Sequence, residues 1–106
     1  MISVYIASPY TVGDKEYNVK RSLLVAETLY SYGYLPFVPL LSHYWNQYIE
    51  HDYYYWLEMD LHWIERCDAV LRLPGESKGA DVEVKYANKI GKPVYYSLKE
   101  FLGLEK

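Results

Sequence analysis

Apolar and polar positions along the chain switch repeatedly between a short period and a helical one. Residues 2 to 7, ISVYIA, form a β-branched and aromatic run stopped by Ser8, Pro9 and Tyr10, the profile of a buried strand. From Asp14 to Tyr32 the residues Val19, Leu23, Ala26 and Tyr30 recur at spacings of four, three and four, and Gly33 closes the run as a helix C-terminal glycine does. YLPFVPL, residues 34 to 40, predicts a second strand, placed at a sheet edge because Pro36 and Pro39 remove ladder donors. Residues 41 to 52 read as irregular. Tyr54, Leu57, Leu61 and Ile64 then set a helical stripe ending near Cys67, and DAVLRL supplies a third strand. After PGESKG, the residues Val82, Tyr86 and Ile90 mark a helix running to Gly91; KPVYYS is a fourth strand before a short terminal helix, LKEFLG.

The predicted order is therefore βαβαβαβα. Strands alternating with helices imply a parallel sheet covered on both faces, and right-handed crossovers leave few topologies. The expected fold class is α/β: a flavodoxin-like or Rossmann-like parallel sheet of four to five strands in the order 2-1-3-4, with helices on both faces. Ligands in such sheets bind beyond the carboxyl ends of the strands, where the strand order reverses. That rule places a site between the first and third strands, walled by ASPYTVGD and PGESKGADVE and close to the aromatic segment HYWNQYIEHDYYYW, residues 43 to 56.

Composition narrows the ligand. A chain of 106 residues, 51% hydrophobic and 24% charged, fits one globular domain spanning residues 1 to 106. A formal charge of -3 argues against a nucleic acid polymer, which needs clustered Lys and Arg, and favours a small molecule. Neither a signal peptide nor a membrane span is expected from MISVYIA, so the location expected by default is cytoplasmic. The single cysteine, Cys67, precedes an apolar run and reads as a buried structural thiol. His43, His51 and His62 lack metal-ligand spacing, and no GxGxxG is present, so neither a metal nor a cofactor is expected. The 14 tyrosines, dense around residues 43 to 56, would close over a ligand or pack against another subunit, making a homo-oligomer, a dimer or higher, the expected assembly.

Two carboxylates stand out by position. On a helical wheel of residues 79 to 91, Val82, Tyr86, Ile90, Ala87 and Ala80 share one arc and Glu83 lands near its centre. A first-turn glutamate complements the helix dipole without any further role. An inward one loses solvation unless it is paired or faces a cavity, which marks Glu83 as a candidate nucleophile or general base, expected to be mostly ionised at neutral pH in a partly wet pocket. On residues 53 to 66 Asp60 falls at the edge of the buried arc, beside Trp56, Trp63 and Ile64, where it serves either a site or a neighbouring backbone or Arg. Ser77 and Gly79 precede the helix carrying Glu83, where a hydroxyl and free N–H groups bind an anion or simply cap the helix.

The segments SVYIASPYT, WLEMDLHWIERCDAVLRLPGESKGADVEVKYA and GKPVYYSL together resemble the nucleoside 2-deoxyribosyltransferase superfamily over nearly the whole chain, and look closest to its small, poorly characterised members. The superfamily's best known members transfer 2-deoxyribose between bases; a related branch hydrolyses the N-glycosidic bond of deoxynucleoside 5′-monophosphates. Both use a glutamate nucleophile in an S-x-G-x-x-x-E segment, matched here by Ser77, Gly79 and Glu83. The resemblance further implies that Asp60 binds the sugar hydroxyls, that Tyr5 is a site tyrosine, that Ser77 contacts a 5′-phosphate, and that Ser8 and Tyr10 in the loop after the first strand contact substrate. This loop lacks the basic, glycine-rich residues that grip phosphate in the hydrolase branch; Lys78 and Arg72 are the candidates to replace them. Tyr44, Trp45 and Tyr48 are the residues expected to stack on a base.

The function expected is cleavage or transfer at the N-glycosidic bond of a nucleoside or nucleotide through Glu83, with Asp60 orienting the sugar. The alternative is a module of the same fold that binds a nucleotide-like ligand without turning it over.

Overall fold

A computed structural model describes residues 1–104. Four parallel strands, β1 (Ser3–Ala7), β2 (Leu35–Phe37), β3 (Ala69–Arg72) and β4 (Val94–Tyr95), lie in the order β2-β1-β3-β4. Helix α1 (Lys15–Ser31) joins β1 to β2; α2 (Ser42–Tyr48) and α3 (Tyr53–Arg66) lie between β2 and β3; α4 (Lys78–Lys89) joins β3 to β4; and α5 (Leu98–Leu102) follows. This is the expected α/β fold and strand order.

Alternation along β1 divides the core in two. Val4 and Ile6 meet Ala26 and Leu29 of α1 with Leu71, and Phe101 of α5 packs against this side. Tyr5 and Ala7 face the other way, onto Ile64 of α3 and Ala80 and Ala87 of α4. Tyr5 thus lies beneath the two helices that carry the candidate carboxylates.

The structure corrects several local expectations. Strand β2 stops at Phe37, and Pro39–Leu41 form a 3₁₀ turn in place of the strand's end. Residues 42 to 48, expected to be irregular, are helical, but α2 buries no residue and so carries no apolar stripe to read. In α1 the buried seam is Asn18, Val19, Ser22, Ala26 and Leu29, leaving Tyr30 exposed. Ser22 tolerates burial because its hydroxyl donates to Val19 O at 2.7 Å, and Asn18 because its amide donates to Tyr10 O and Val12 O at 3.0 Å each. In α3, Tyr54 is 74% exposed. In α4 the buried seam is Ala80, Glu83 and Ala87, while Val82 and Ile90 stay at the surface. Two alanines let the helix sit close to the sheet along a narrow line, so the margin of the apolar arc is left outside. Gly33 ends α1 as expected: at φ 89° it lets Tyr34 N donate to Leu29 O and its own N–H to Tyr30 O, each at 3.0 Å, a Schellman closure.

Candidate active site

The carboxyl ends of β1 and β3 open side by side, and the loops leaving them touch. Gly75 has φ 120°, and a Cβ there would lie 3.1 Å from Pro9 Cγ, so a side chain is excluded by both conformation and space. The second loop enters α4 at Ser77, whose side chain accepts from Ala80 N at 3.0 Å as the N-cap. This cap sets the helix rotation that turns position 83 inward. Opposite, Asp52 caps α3 by accepting from Tyr55 N at 2.9 Å, and that helix carries Asp60.

Glu83 is 6% exposed and Tyr5 fully buried. The Tyr5 hydroxyl donates to Glu83 Oε2. Its ring stacks on Phe37 at 5.7 Å, which stacks on Trp63 at 4.5 Å, so an aromatic column holds the donor in place. Asp60, half-buried, lies close enough to Glu83 for the two carboxyls to interact electrostatically. Burial, then the neighbouring Asp60 carboxylate, raises the Glu83 pKa to about 8, against the smaller pull of the Tyr5 hydroxyl and Arg72. Burial likewise raises Asp60 to about 7, offset in part by the neighbouring Glu83 carboxyl and Tyr5 hydroxyl. Tyr5 is held well above its usual range by burial and the adjacent Glu83 charge, so it remains a donor. The two carboxyls therefore hold a proton at neutral pH, as like charges in a poorly solvated site must. The expectation of a mostly ionised Glu83 does not hold, because the carboxyl is buried rather than partly wet and α3 brings Asp60 close to it, neither of which the wheel can show.

Glu83 and Asp60 open onto a cleft of about 260 Å³. Ser8, Tyr10, Ser77 and Gly79 line it too, so the structure brings these four together with the two carboxylates; Tyr5 stands behind Glu83. The rest of the wall includes Leu40, Asn46, His51, Tyr53, Trp56 and Leu57. A family model described as a domain of unknown function (DUF7768) matches residues 2–97. The chain belongs to that family.

The DUF7768 chain has further likenesses in fold. A 2-desoxiribosyltransferase from Leishmania mexicana superposes with a TM-score of 0.65 at 22% identity, over 89% of this chain and 62% of the other. A 2-deoxyribosyltransferase from the psychrotolerant bacterium Bacillus psychrosaccharolyticus gives 0.61 at 24%, over 87% and 69%. The chain thus spans less than two thirds of the Leishmania protein's length. No curated protein matches. At these identities the likeness establishes the fold.

Within this DUF7768 fold, the aromatic segment contributes differently from expectation. Tyr44, Trp45 and Tyr48 do not line the cleft; Tyr44 donates to Glu16 Oε2 at 3.2 Å, Trp45 packs edge-on against Trp56, and Tyr48 is exposed. Asn46, His51, Tyr53 and Trp56 take the wall instead, and sequence reasoning passed over all of them as site residues. Arg72 is engaged away from the cleft, its Nη2 2.9 Å from Asp81 Oδ1 and its Nη1 donating to Leu73 O, and Lys78 is exposed at the start of α4. Among the described residues, neither Lys nor Arg lines the cleft. Tyr10 meets His43 Nδ1 through its hydroxyl, and His43 Nε2 lies 2.9 Å from Glu16 Oε1. The contact ties the Tyr10 hydroxyl to His43 and, through it, to Glu16 on α1, fixing the Tyr10 ring at the edge of the cleft. Among the described residues no cluster of three or more His, Cys, Asp or Glu is arranged to hold a metal ion, and no helix is long and apolar enough to cross a membrane.

Proposed function

We propose that residues 1–106 act as one nucleoside 2-deoxyribosyltransferase-like domain that cleaves or transfers at the N-glycosidic bond of a nucleoside. The observation that carries this reading is the buried Glu83 carboxyl on the cleft floor, with Tyr5 donating to Oε2 and Asp60 alongside. When the shared proton resides on Asp60, Glu83 is an anion with one oxygen held by Tyr5 and the other free to attack the anomeric carbon. The C–N bond breaks as the C–O ester forms, and the base leaves with its electron pair and takes up a proton. A second base or a water molecule then displaces the ester, regenerating the carboxylate. Asp60 hydrogen-bonds a sugar hydroxyl and orients the ring. Ser77, Gly79, Ser8 and Tyr10 surround the sugar's other edge.

The wall's lack of Lys and Arg among the described residues favours an uncharged nucleoside over a 5′-monophosphate. The protein's exposed tyrosines, Tyr48 and Tyr54 foremost, supply a surface through which it self-associates. Chromatography of deoxynucleosides and their monophosphates, with and without an acceptor base, tests the reading. Free base without acceptor identifies a hydrolase and exchanged base a transferase; ordinary turnover by Glu83→Ala would sink the mechanism. The raised pKa of Glu83, which keeps its carboxyl protonated at neutral pH, favours a second reading, a module that binds a nucleoside without reacting. That reading requires thermal stabilisation by nucleosides with no product at any pH up to about 9, above the range in which the carboxyl ionises.

A further inference from the structure

Asn46, on α2, accepts two hydrogen bonds at Oδ1: from the backbone N–H of His51 at 2.8 Å and from Trp56 Nε1 at 2.8 Å. Both partners are donors only, so the amide orientation is fixed chemically: the oxygen must face them and the NH₂ must face the other way. A flip would strand two N–H groups against a donor. No partner among the described residues takes Nδ2, and Asn46, His51 and Trp56 all line the cleft. A residue of the cleft wall therefore carries a hydrogen-bond donor locked in advance, in a lining that Leu40, Leu57 and Trp56 share.

We propose that Asn46 selects the base, by donating to an exocyclic carbonyl, so that the protein prefers nucleosides of oxo bases to those of amino bases. The proposal rests on the reading of Glu83 and Asp60 as the sugar end of the cleft, which leaves the base to reach the α2 side. Ring nitrogens that accept occur in both base classes; the exocyclic position is where an acceptor in one class becomes a donor in the other, and there a fixed NH₂ distinguishes them. An amino base would bring N–H against N–H and leave both without an acceptor.

Asn46→Asp is the informative variant. One carboxylate oxygen keeps both bonds from His51 and Trp56, and the other replaces the outward donor by an acceptor. Binding of 2′-deoxyinosine and 2′-deoxyadenosine is measured by calorimetry in a Glu83→Gln background, which prevents turnover while leaving an acceptor for Tyr5. The expected result is about tenfold or more tighter binding of 2′-deoxyinosine, lost or reversed on Asn46→Asp. Equal affinity for the two, the same preference after Asn46→Asp, or no binding of either at millimolar concentration overturns the proposal. If Glu83→Gln does not fold, free hypoxanthine and adenine with the wild-type protein give the same comparison, since neither carries a glycosidic bond. Failure of the reaction reading looks different: discrimination persists in binding while the wild-type protein releases and exchanges no base.

Discussion

Glu83→Gln separates the electrostatics of the site from its chemistry. Glutamine imitates the protonated acid: its oxygen accepts from Tyr5 and its NH₂ donates toward Asp60. In the wild type the Glu83 pKa lies at about 8 in the folded protein against an ordinary 4.5, so the unfolded chain releases its proton first as pH rises. Below about pH 4.5 both states are neutral and folding is unaffected. Between there and about pH 8 stability falls as pH climbs, and above it the loss levels off. At 1.36 kcal/mol per unit the full effect is on the order of 5 kcal/mol, an upper figure because Asp60 shares the proton. Glutamine removes the penalty. In a domain of this size about 1 kcal/mol moves Tm by roughly 4–8 °C, so even half the effect raises Tm of the variant over wild type by about 10–20 °C at pH 8.5. The difference shrinks toward zero at pH 4.5. Paired thermal melts across that range decide the matter: a Tm difference that stays flat with pH, or a variant that loses ground as pH rises, refutes the burial argument.

Further outcomes follow from the same geometry. Under the proposed function, turnover climbs with pH as the Glu83–Asp60 pair loses its proton, through the interval from about 7 to about 8, and a rate profile that declines there contradicts a carboxylate nucleophile. Tyr5→Phe removes a hydrogen bond to a charged acceptor, so kcat/KM at pH 7 drops by about 10- to 100-fold and the profile moves to higher pH, while the ring still stacks on Phe37. Gly75→Ala, at φ 120° and 3.1 Å from Pro9 Cγ, destabilises by about 1–3 kcal/mol in urea titration. Ser77→Ala lowers stability by about 1 kcal/mol through loss of the α4 cap, and Ser77→Asp restores it.

The sequence disclosed whatever depends on periodicity and little that depends on contacts across elements. Sheet order was readable because Pro36 and Pro39 confine β2 to an edge and the alternation of elements fixes the crossovers. Glu83 was found because a charge in an apolar arc breaks a pattern. Its protonation is not legible, since the depth of its burial and the nearness of Asp60 are properties of how α3 and α4 pack. Asn18 and Ser22 were passed over as core residues because a polar side chain can be buried once its own hydrogen bonds are made, and periodicity records only hydrophobicity. Asn46 left no signal at all: its placement follows from the His51 backbone and the Trp56 indole, and α2 has no buried face to announce a helix.

That last property separates two duties. The groups proposed to serve the reacting end, Glu83 and the Tyr5 that holds it, are embedded in the packed interior, where a substitution that changes size or shape disturbs folding. The face proposed to read the base rests on α2, an element that adds no buried side chain to the core. Ligand preference can therefore drift, or be engineered, through residues 42 to 48 at small expense in stability, while the reacting end stays constant.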